Sequence, residues 1–162
     1  YRNHGIEKRN KISSFGLVSR MDNIQAAVLN IRFKKLSKVI KKRRDNASLY
    51  YSLLKNLNFI VLPSENKDEF NTYHTYVIKA EKRDQLKSYL KKKGILTAIH
   101  YPTLIFEQEA YQKKFNKIHK DEFPIARNIK KKILTLPINQ YLRSKDIRYI
   151  CEEIKKFYSF TN

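Results

Sequence analysis

The chain has 162 residues, room for one hydrophobic core or for one core and a small appendage. No apolar run approaches the ~18 to 20 residues that cross a bilayer, no signal-peptide pattern opens the sequence, and one cysteine beside four histidines leaves neither an internal disulfide nor a zinc-ligand spacing. Lys and Arg number 35 against 15 Asp and Glu, a net charge of +20, which attracts phosphate-bearing partners. The basic residues are mostly lysines in runs such as 41–44, 91–93 and 130–132. Such runs are what a skewed composition writes on solvated helix faces, with a basic nucleic-acid-binding module as the alternative. Tyr1 opens the sequence and Met21 is its only methionine, so the expectation is a piece of a longer protein.

Residues 1–18, with Gly5, Ser13, Ser14 and Gly16, read as an irregular lead-in. Ser19 with Asp22 three residues on has the spacing of a capping box. From there Met21, Ile24, Val28 and Ile31, beside Leu29, Phe33, Leu36 and Ile40, give a wide apolar helical face that continues through Ala47, Tyr50, Leu54 and Leu57. A helix of this length predicts a break, placed near Asp45 and Asn46. Phe59 to Leu62 is a short apolar run stopped by Pro63, and Ser64 to Asn71 is a polar loop. Thr72 to Ala80 predicts a strand, Asp84 the N-cap of a following helix, Gly94 its stop, and Ile95 to Tyr101 a second strand ended by Pro102. Strand, helix and strand over 72–101 are long enough for a crossover connection. Phe123 and Pro124 open another helix, Leu134 to Ile138 is extended, and Ser144 caps a last helix. Its periodic Ile147, Ile150, Cys151, Ile154, Phe157 and Tyr158 make Cys151 a packing residue rather than a nucleophile. The predicted class is α+β, one long helix leading into a small sheet backed by helices.

Chemistry is sparse. No Gly-rich phosphate loop and no nucleophile elbow is present, and the carboxylates, from Glu65 to Glu69 and at Glu152 and Glu153, read as solvated. Two places stand out. His100, Tyr101 and Pro102 end a strand, where side chains project from a rigid element; a structural histidine is the plain alternative. Ser19 and Arg20 stand at a helix start, where a hydroxyl, a guanidinium and free N–H groups favour an anion; simple capping is the plain alternative. Tyr73, His74 and Tyr76 line either a pocket or the core.

Taken in order, RNHG at 2–5, SRMDNIQAAVL at 19–29, RR at 43–44, YHTYVIK at 73–79, RDQL at 83–86, KKGILTAIHYP at 92–102, EFPIA at 122–126 and LTLPI at 134–138 resemble the C-terminal part of the DegT/StrS family of pyridoxal-phosphate-dependent nucleotide-sugar aminotransferases. The resemblance spans nearly the whole chain. It implies the C-terminal small domain of an aspartate-aminotransferase-type (fold-type I) enzyme: residues 1–18 as the tail of the large cofactor domain, 19–58 as the connecting helix, and 59–162 as the small domain. It also implies a cytoplasmic homodimer with its site at the subunit interface, using glutamate and a nucleotide-linked keto sugar in polysaccharide or deoxyamino-sugar synthesis. No specific nucleic acid, metal or membrane insertion is expected.

By that resemblance Ser19 and Arg20 meet the pyridoxal 5'-phosphate phosphate or the substrate's anionic groups in the partner's site, and His100 and Tyr101 lie near the sugar nucleotide. The cofactor-binding lysine falls outside this chain, so the chain alone is expected to be inactive; an inactive remnant is a further alternative. Three positions depart from the family pattern. Val18 stands in place of the Asn before Ser-Arg and offers no side-chain donor, Phe106 replaces a histidine after His-Tyr-Pro, and Asn139 replaces another after the LPI motif.

Overall fold

A computed structural model describes residues 6–8, 11–115 and 122–160. The chain forms two compact units, Tyr1–Lys38 and Val39–Asn162.

In the first unit β1 (Ile6–Lys8) pairs antiparallel with β2 (Lys11–Ile12), so a short hairpin replaces part of the expected irregular lead-in. Helix α1 (Asn23–Phe33) begins later than its predicted Ser19 cap. Asp22 is the N-cap, and its N–H donates to Gln25 Oε1 at 3.3 Å. The longer Gln side chain reaches back where Asp22 could not reach Ser19. Helix α1 buries none of its residues, and Ile24, Ile31 and Phe33 are 75%, 62% and 74% exposed.

Helix α2 (Leu36–Leu54) follows a turn at Lys34 and Lys35, where the Lys35 N–H bonds the Arg32 carbonyl at 3.0 Å. The predicted break exists, but at 34–35 instead of 45–46. Asp45 stays helical by pairing with Lys41 one turn earlier at 2.9 Å, and buried Asn46 spends its amide on the Asn139 carbonyl at 2.9 Å. Tertiary partners override the local preference of Asp and Asn for a helix end.

The second unit is built on an antiparallel sheet of β3 (Ile60–Val61), β4 (Tyr76–Ala80) and β5 (Ile133–Leu136), in that order. Ile60 faces Ala80, Tyr76 faces Leu136 and Ile78 faces Leu134. Tyr76, Ile78, Ala80, Leu134 and Leu136 form one buried sheet face, and Tyr50 and Leu54 of α2, with Leu86 and Leu90 of α3 (Arg83–Lys92), belong to the same core. Helix α4 (Glu109–Phe115) follows a 3₁₀ turn at Ile105–Glu107, and α5 (Pro124–Lys132), started by a proline in its first turn, runs straight into β5. Helix α6 (Ser144–Ser159) buries Ile147, Ile150, Cys151, Ile154, Phe157 and Tyr158 as its periodicity predicts. Burial pushes the Cys151 thiol up to about 12, which removes the thiolate needed for nucleophilic chemistry.

Several boundaries move for identifiable reasons. Strand β4 starts at Tyr76, not Thr72. The Tyr73 N–H bonds Asn71 Oδ1 at 2.8 Å, Tyr73 is left-handed at φ 48°, and Arg43 Nη1 takes the Tyr73 and His74 carbonyls at 3.0 and 2.9 Å, withdrawing them from a ladder. The N-cap of α3 is Lys82 instead of Asp84, and that of α6 is Arg143 instead of Ser144. At α6 the Arg143 N–H and guanidinium both bond Asp146. Gly94 stops α3 as expected. At φ 75° it lets its own N–H bond the Lys91 carbonyl at 3.0 Å and the Ile95 N–H bond the Leu90 carbonyl at 2.9 Å, the paired pattern of a Schellman motif.

The segment predicted as a second strand, 95–101, makes one antiparallel bridge, Ala98 with Thr135. Because β4 also runs antiparallel to β5, this segment runs parallel to β4 with β5 between them. The crossover expected over 72–101 is present, with β5 between its two extended segments.

Truncation separates the two units energetically. Ile78→Ala, at a site with no exposure, is expected to cost ~2–5 kcal/mol, whereas Ile24→Ala stays within ~0.5 kcal/mol; urea midpoints of the two variants check this.

Candidate functional site

The His-Tyr-Pro segment is fixed from the sheet outward. Thr135 pairs with Val77 on one edge of β5 and with Ala98 on the other, where the Ala98 N–H bonds the Thr135 carbonyl at 3.1 Å and the Thr135 N–H bonds the Ala98 carbonyl at 2.8 Å. Side chains alternate along a strand, so Thr135 stands on the opposite face from core residues Leu134 and Leu136. There its Oγ1 lies 2.9 Å from Nδ1 of His100. His100 is exposed and packs edge-on against Tyr101, itself 73% exposed, with ring centroids 5.4 Å apart. A cleft of about 400 Å³ opens beside them, lined by His74, Thr75, Thr97, His100 and Thr135 among others. The hydroxyl of Thr97 is buried there without a hydrogen-bond partner among the described residues. A wider apolar groove of about 540 Å³ between Ile95, Leu142, Tyr149 and Ile150 shares Leu96 and Pro137 with this cleft.

The other end of the loop is tied to α5. Glu107 accepts from Lys130 Nζ at 2.6 Å, from the Leu104 N–H at 2.9 Å and from Arg127 at 3.4 Å. These contacts, led by the Lys130 bond, hold its carboxyl below the usual glutamate range. Phe106 stacks on Phe123 at 5.1 Å with the Arg127 guanidinium 4.9 Å over its ring. Asn139 caps its own turn: its Oδ1 accepts the Tyr141 and Leu142 N–H groups at 2.8 and 3.1 Å. Phe106 and Asn139 both have local structural partners.

Ser19 and Arg20 belong to the first unit and are exposed, as is Val18. Among the described residues neither the Ser19 nor the Arg20 side chain makes a hydrogen bond or ion pair, so both retain full donor capacity. One part of the sequence expectation changes. Asp22 and Gln25 occupy the start of α1, so Ser19 and Arg20 precede a capped helix, and what they can offer an anion is their own side chains. The RNHG motif at 2–5 lies outside the described residues. Of the aromatic trio, Tyr76 is core, Tyr73 is half-buried and His74 is exposed in the cleft. Among the described residues no acid, histidine and cysteine cluster could hold a metal.

Two features were not recognised from sequence. The first is the structural role of Arg43 and Arg44, a pair noted in the sequence only as a motif. Arg43 gathers the carbonyls of Tyr73, His74 and Ile138, while Arg44 forks onto both oxygens of Glu65 at 2.7 and 3.1 Å, reaches the Asn71 carbonyl at 2.7 Å and lies 4.5 Å over the Phe70 ring. Arginine in a chain whose cations are mostly lysine was the available signal, because only its fork can serve several acceptors at once. The second is Glu153, expected in solvent but 2% exposed, where Tyr89 Oη donates at 2.8 Å and Lys156 Nζ at 2.7 Å.

The motif order coincides with a known family. The description of the DegT/DnrJ/EryC1/StrS aminotransferase family matches residues 1–155. The chain belongs to that family. It is 32% identical over 157 residues to the pleiotropic regulatory protein of Geobacillus stearothermophilus, covering 96% of this chain and 42% of that one. It is 30% identical over 156 residues to the dTDP-3-amino-3,6-dideoxy-alpha-D-galactopyranose transaminase of Aneurinibacillus thermoaerophilus, with the same shares. The crystal structure of DesV from S. venezuelae superposes with a TM-score of 0.89 at 30% identity, over 96% of this chain and 42% of that chain. PseC of Helicobacter pylori shares the fold at a TM-score of 0.85 and 23% identity. This family member therefore spans about 42% of the length of these relatives and matches their C-terminal part.

The Glu107 anchor is pH-dependent in a stated direction. A carboxyl whose folded pKa is lowered contributes fully above its ordinary value of ~4.3 and loses that contribution as pH falls through the lowered one. Wild type is expected to exceed Glu107→Gln in melting temperature at pH 7, with the gap closing as pH drops below ~4; melting curves of both across that range check it.

Proposed function

We propose that this chain is the C-terminal small-domain portion of an aminotransferase that moves an amino group, usually from glutamate, to a nucleotide-linked keto sugar for polysaccharide or deoxyamino-sugar synthesis. The family match over residues 1–155 is the observation that carries this reading. In the same reading residues 1–18 end the large cofactor domain, 19–58 connect, and 59–162 form the small domain. The uncovered apolar face of α1 suits burial against a preceding domain and a second subunit, which supports a homodimer. Among the described residues no helix is long and apolar enough to cross a membrane, and the reading places the enzyme in the cytoplasm.

The residues present fit a phosphate-bearing cofactor at one end. Arg20 offers a planar cation that pairs with a phosphate by two parallel hydrogen bonds, and Ser19 offers a hydroxyl. Both are exposed with no partner among the described residues. Val18 withdraws one donor from that cradle. Pyridoxal phosphate, when bound, supplies the electron sink that amino-group transfer requires. His100 contributes a ring nitrogen and Tyr101 an exposed aromatic face and hydroxyl to the sugar nucleotide, so that this chain binds and orients the substrate while the covalent chemistry belongs to a lysine outside it.

Two measurements test this. The 162-residue chain, mixed with pyridoxal phosphate and then borohydride, should show no stoichiometric pyridoxyl label on any single lysine; one specific label accompanied by turnover would sink the proposal. Joined behind the preceding part of the A. thermoaerophilus transaminase, the chain is expected to support glutamate-dependent sugar amination. Arg20→Ala in that fusion should lower kcat/KM by ~10-fold or more, the loss of a hydrogen bond to a charged group.

A further inference from the structure

We propose that Thr135 is the positioning residue of His100: its hydroxyl pins Nδ1 and so determines that Nε2 is the ring nitrogen offered to a substrate. This rests on the reading of His100 as a substrate-facing residue.

The pin is built rather than incidental. Thr135 is 7% exposed, its backbone N–H and carbonyl are both bonded to Ala98 on one edge of β5, and it stands opposite Val77 in the ladder on the other. Threonine is also stiff at χ1. Its hydroxyl therefore occupies a fixed point 2.9 Å from the ring, and little side-chain freedom is lost in forming the bond. The strand that carries the hydroxyl is also the strand that holds residue 98, two positions before His100. Backbone and side chain of one residue thus fix both where the segment runs and how its ring is turned.

The choice of a hydroxyl has a chemical consequence. A hydroxyl donates to the bare Nδ1 of a neutral imidazole and, after rotating its proton, accepts from the Nδ1–H of an imidazolium. A carboxylate would favour the charged ring, and a backbone carbonyl could only accept. His74 is the other titratable residue lining this cleft, and Tyr101 packs against the His100 ring. Thr135 holds the ring in both protonation states, so the orientation of Nε2 does not depend on its charge. Such a ring suits a ligand rich in acceptor oxygens, as a sugar nucleotide is, because Nε2 carries its proton and stays aimed at the same place in both states.

The test uses the full 162-residue chain labelled with ¹³C and ¹⁵N histidine, His100 being assigned by its absence in His100→Gln. Ring order parameters near ~0.85 are expected in wild type and in Thr135→Ser, and below ~0.6 in Thr135→Val, the boundary between rigid and flexible groups. Valine is β-branched and suits a strand, so amide exchange at positions 98 and 135 should remain slow and report an intact sheet. A His100 ring in Thr135→Val as ordered as in wild type, with those amides still protected, would overturn the proposal. So would a wild-type ring already below ~0.6, whatever the variants do. Because ring order is read without substrate, failure there is a failure of the pin. An unchanged KM for His100→Gln in the fusion enzyme is the separate failure of the substrate reading.

Discussion

The second unit turns on one pair of residues, Ala98 and Thr135. Strand β5 is held to β4 by a four-residue antiparallel register, and its free edge is met only at this bridge among the described residues. Through it the segment ending in His100 and Tyr101 inherits the rigidity of a sheet whose other face is packed by α2, α3 and α6. Helix α5 runs directly into β5, and α5 also supplies Lys130 and Arg127 to Glu107. A single continuous piece of chain, 124–136, therefore anchors both ends of the loop that carries the candidate substrate residues. That arrangement gives a site edge precision without making the loop itself a regular element.

Arginine does a different job from lysine throughout. Arg43 serves the carbonyls that would otherwise continue β4, Arg44 forks onto Glu65, and Arg83 reaches the Ile133 carbonyl at 2.8 Å where α5 becomes β5. Each satisfies main-chain or carboxylate oxygens at places where the backbone leaves regular structure. Lysines fill most of the exposed helix surface, and those that do bond, such as Lys130 and Lys156, meet one carboxylate oxygen each.

Periodicity and the Gly and Pro signals were dependable guides in this sequence, and the polar capping and break signals were not. The apolar face of α6, the position of Gly94 and the start of α5 at Pro124 were all legible, because burial and φ restrictions act on the residues that display them, whereas the strand expected over 95–101 is reduced to one bridge. The position of the break in the long helix was not, since Asp45 and Asn46 are retained by Lys41 and by the Asn139 carbonyl; the latter lies far along the chain. The same holds for Glu153, whose neighbours in sequence look solvated while its partner Tyr89 comes from another helix. Thr135 gave no signal of its own, being one hydroxyl in a strand, and becomes informative only when the sheet places it beside His100. Family resemblance, not physics, is what singles out the 100–102 edge as the one proposed to face a substrate.

The apolar face of α1 gives the net charge a second meaning. A chain that leaves Ile24, Ile31 and Phe33 uncovered carries an adhesive surface, and +20 charges repel a second copy before that surface can meet its like. At low ionic strength the repulsion reaches ~30 Å from each molecule, but by physiological salt it has shrunk to ~8 Å. The isolated chain is therefore expected to sit between two regimes, dispersed in dilute buffer and self-associating in saline, with its lysines acting as a colloidal stabiliser for a helix face left exposed among the described residues.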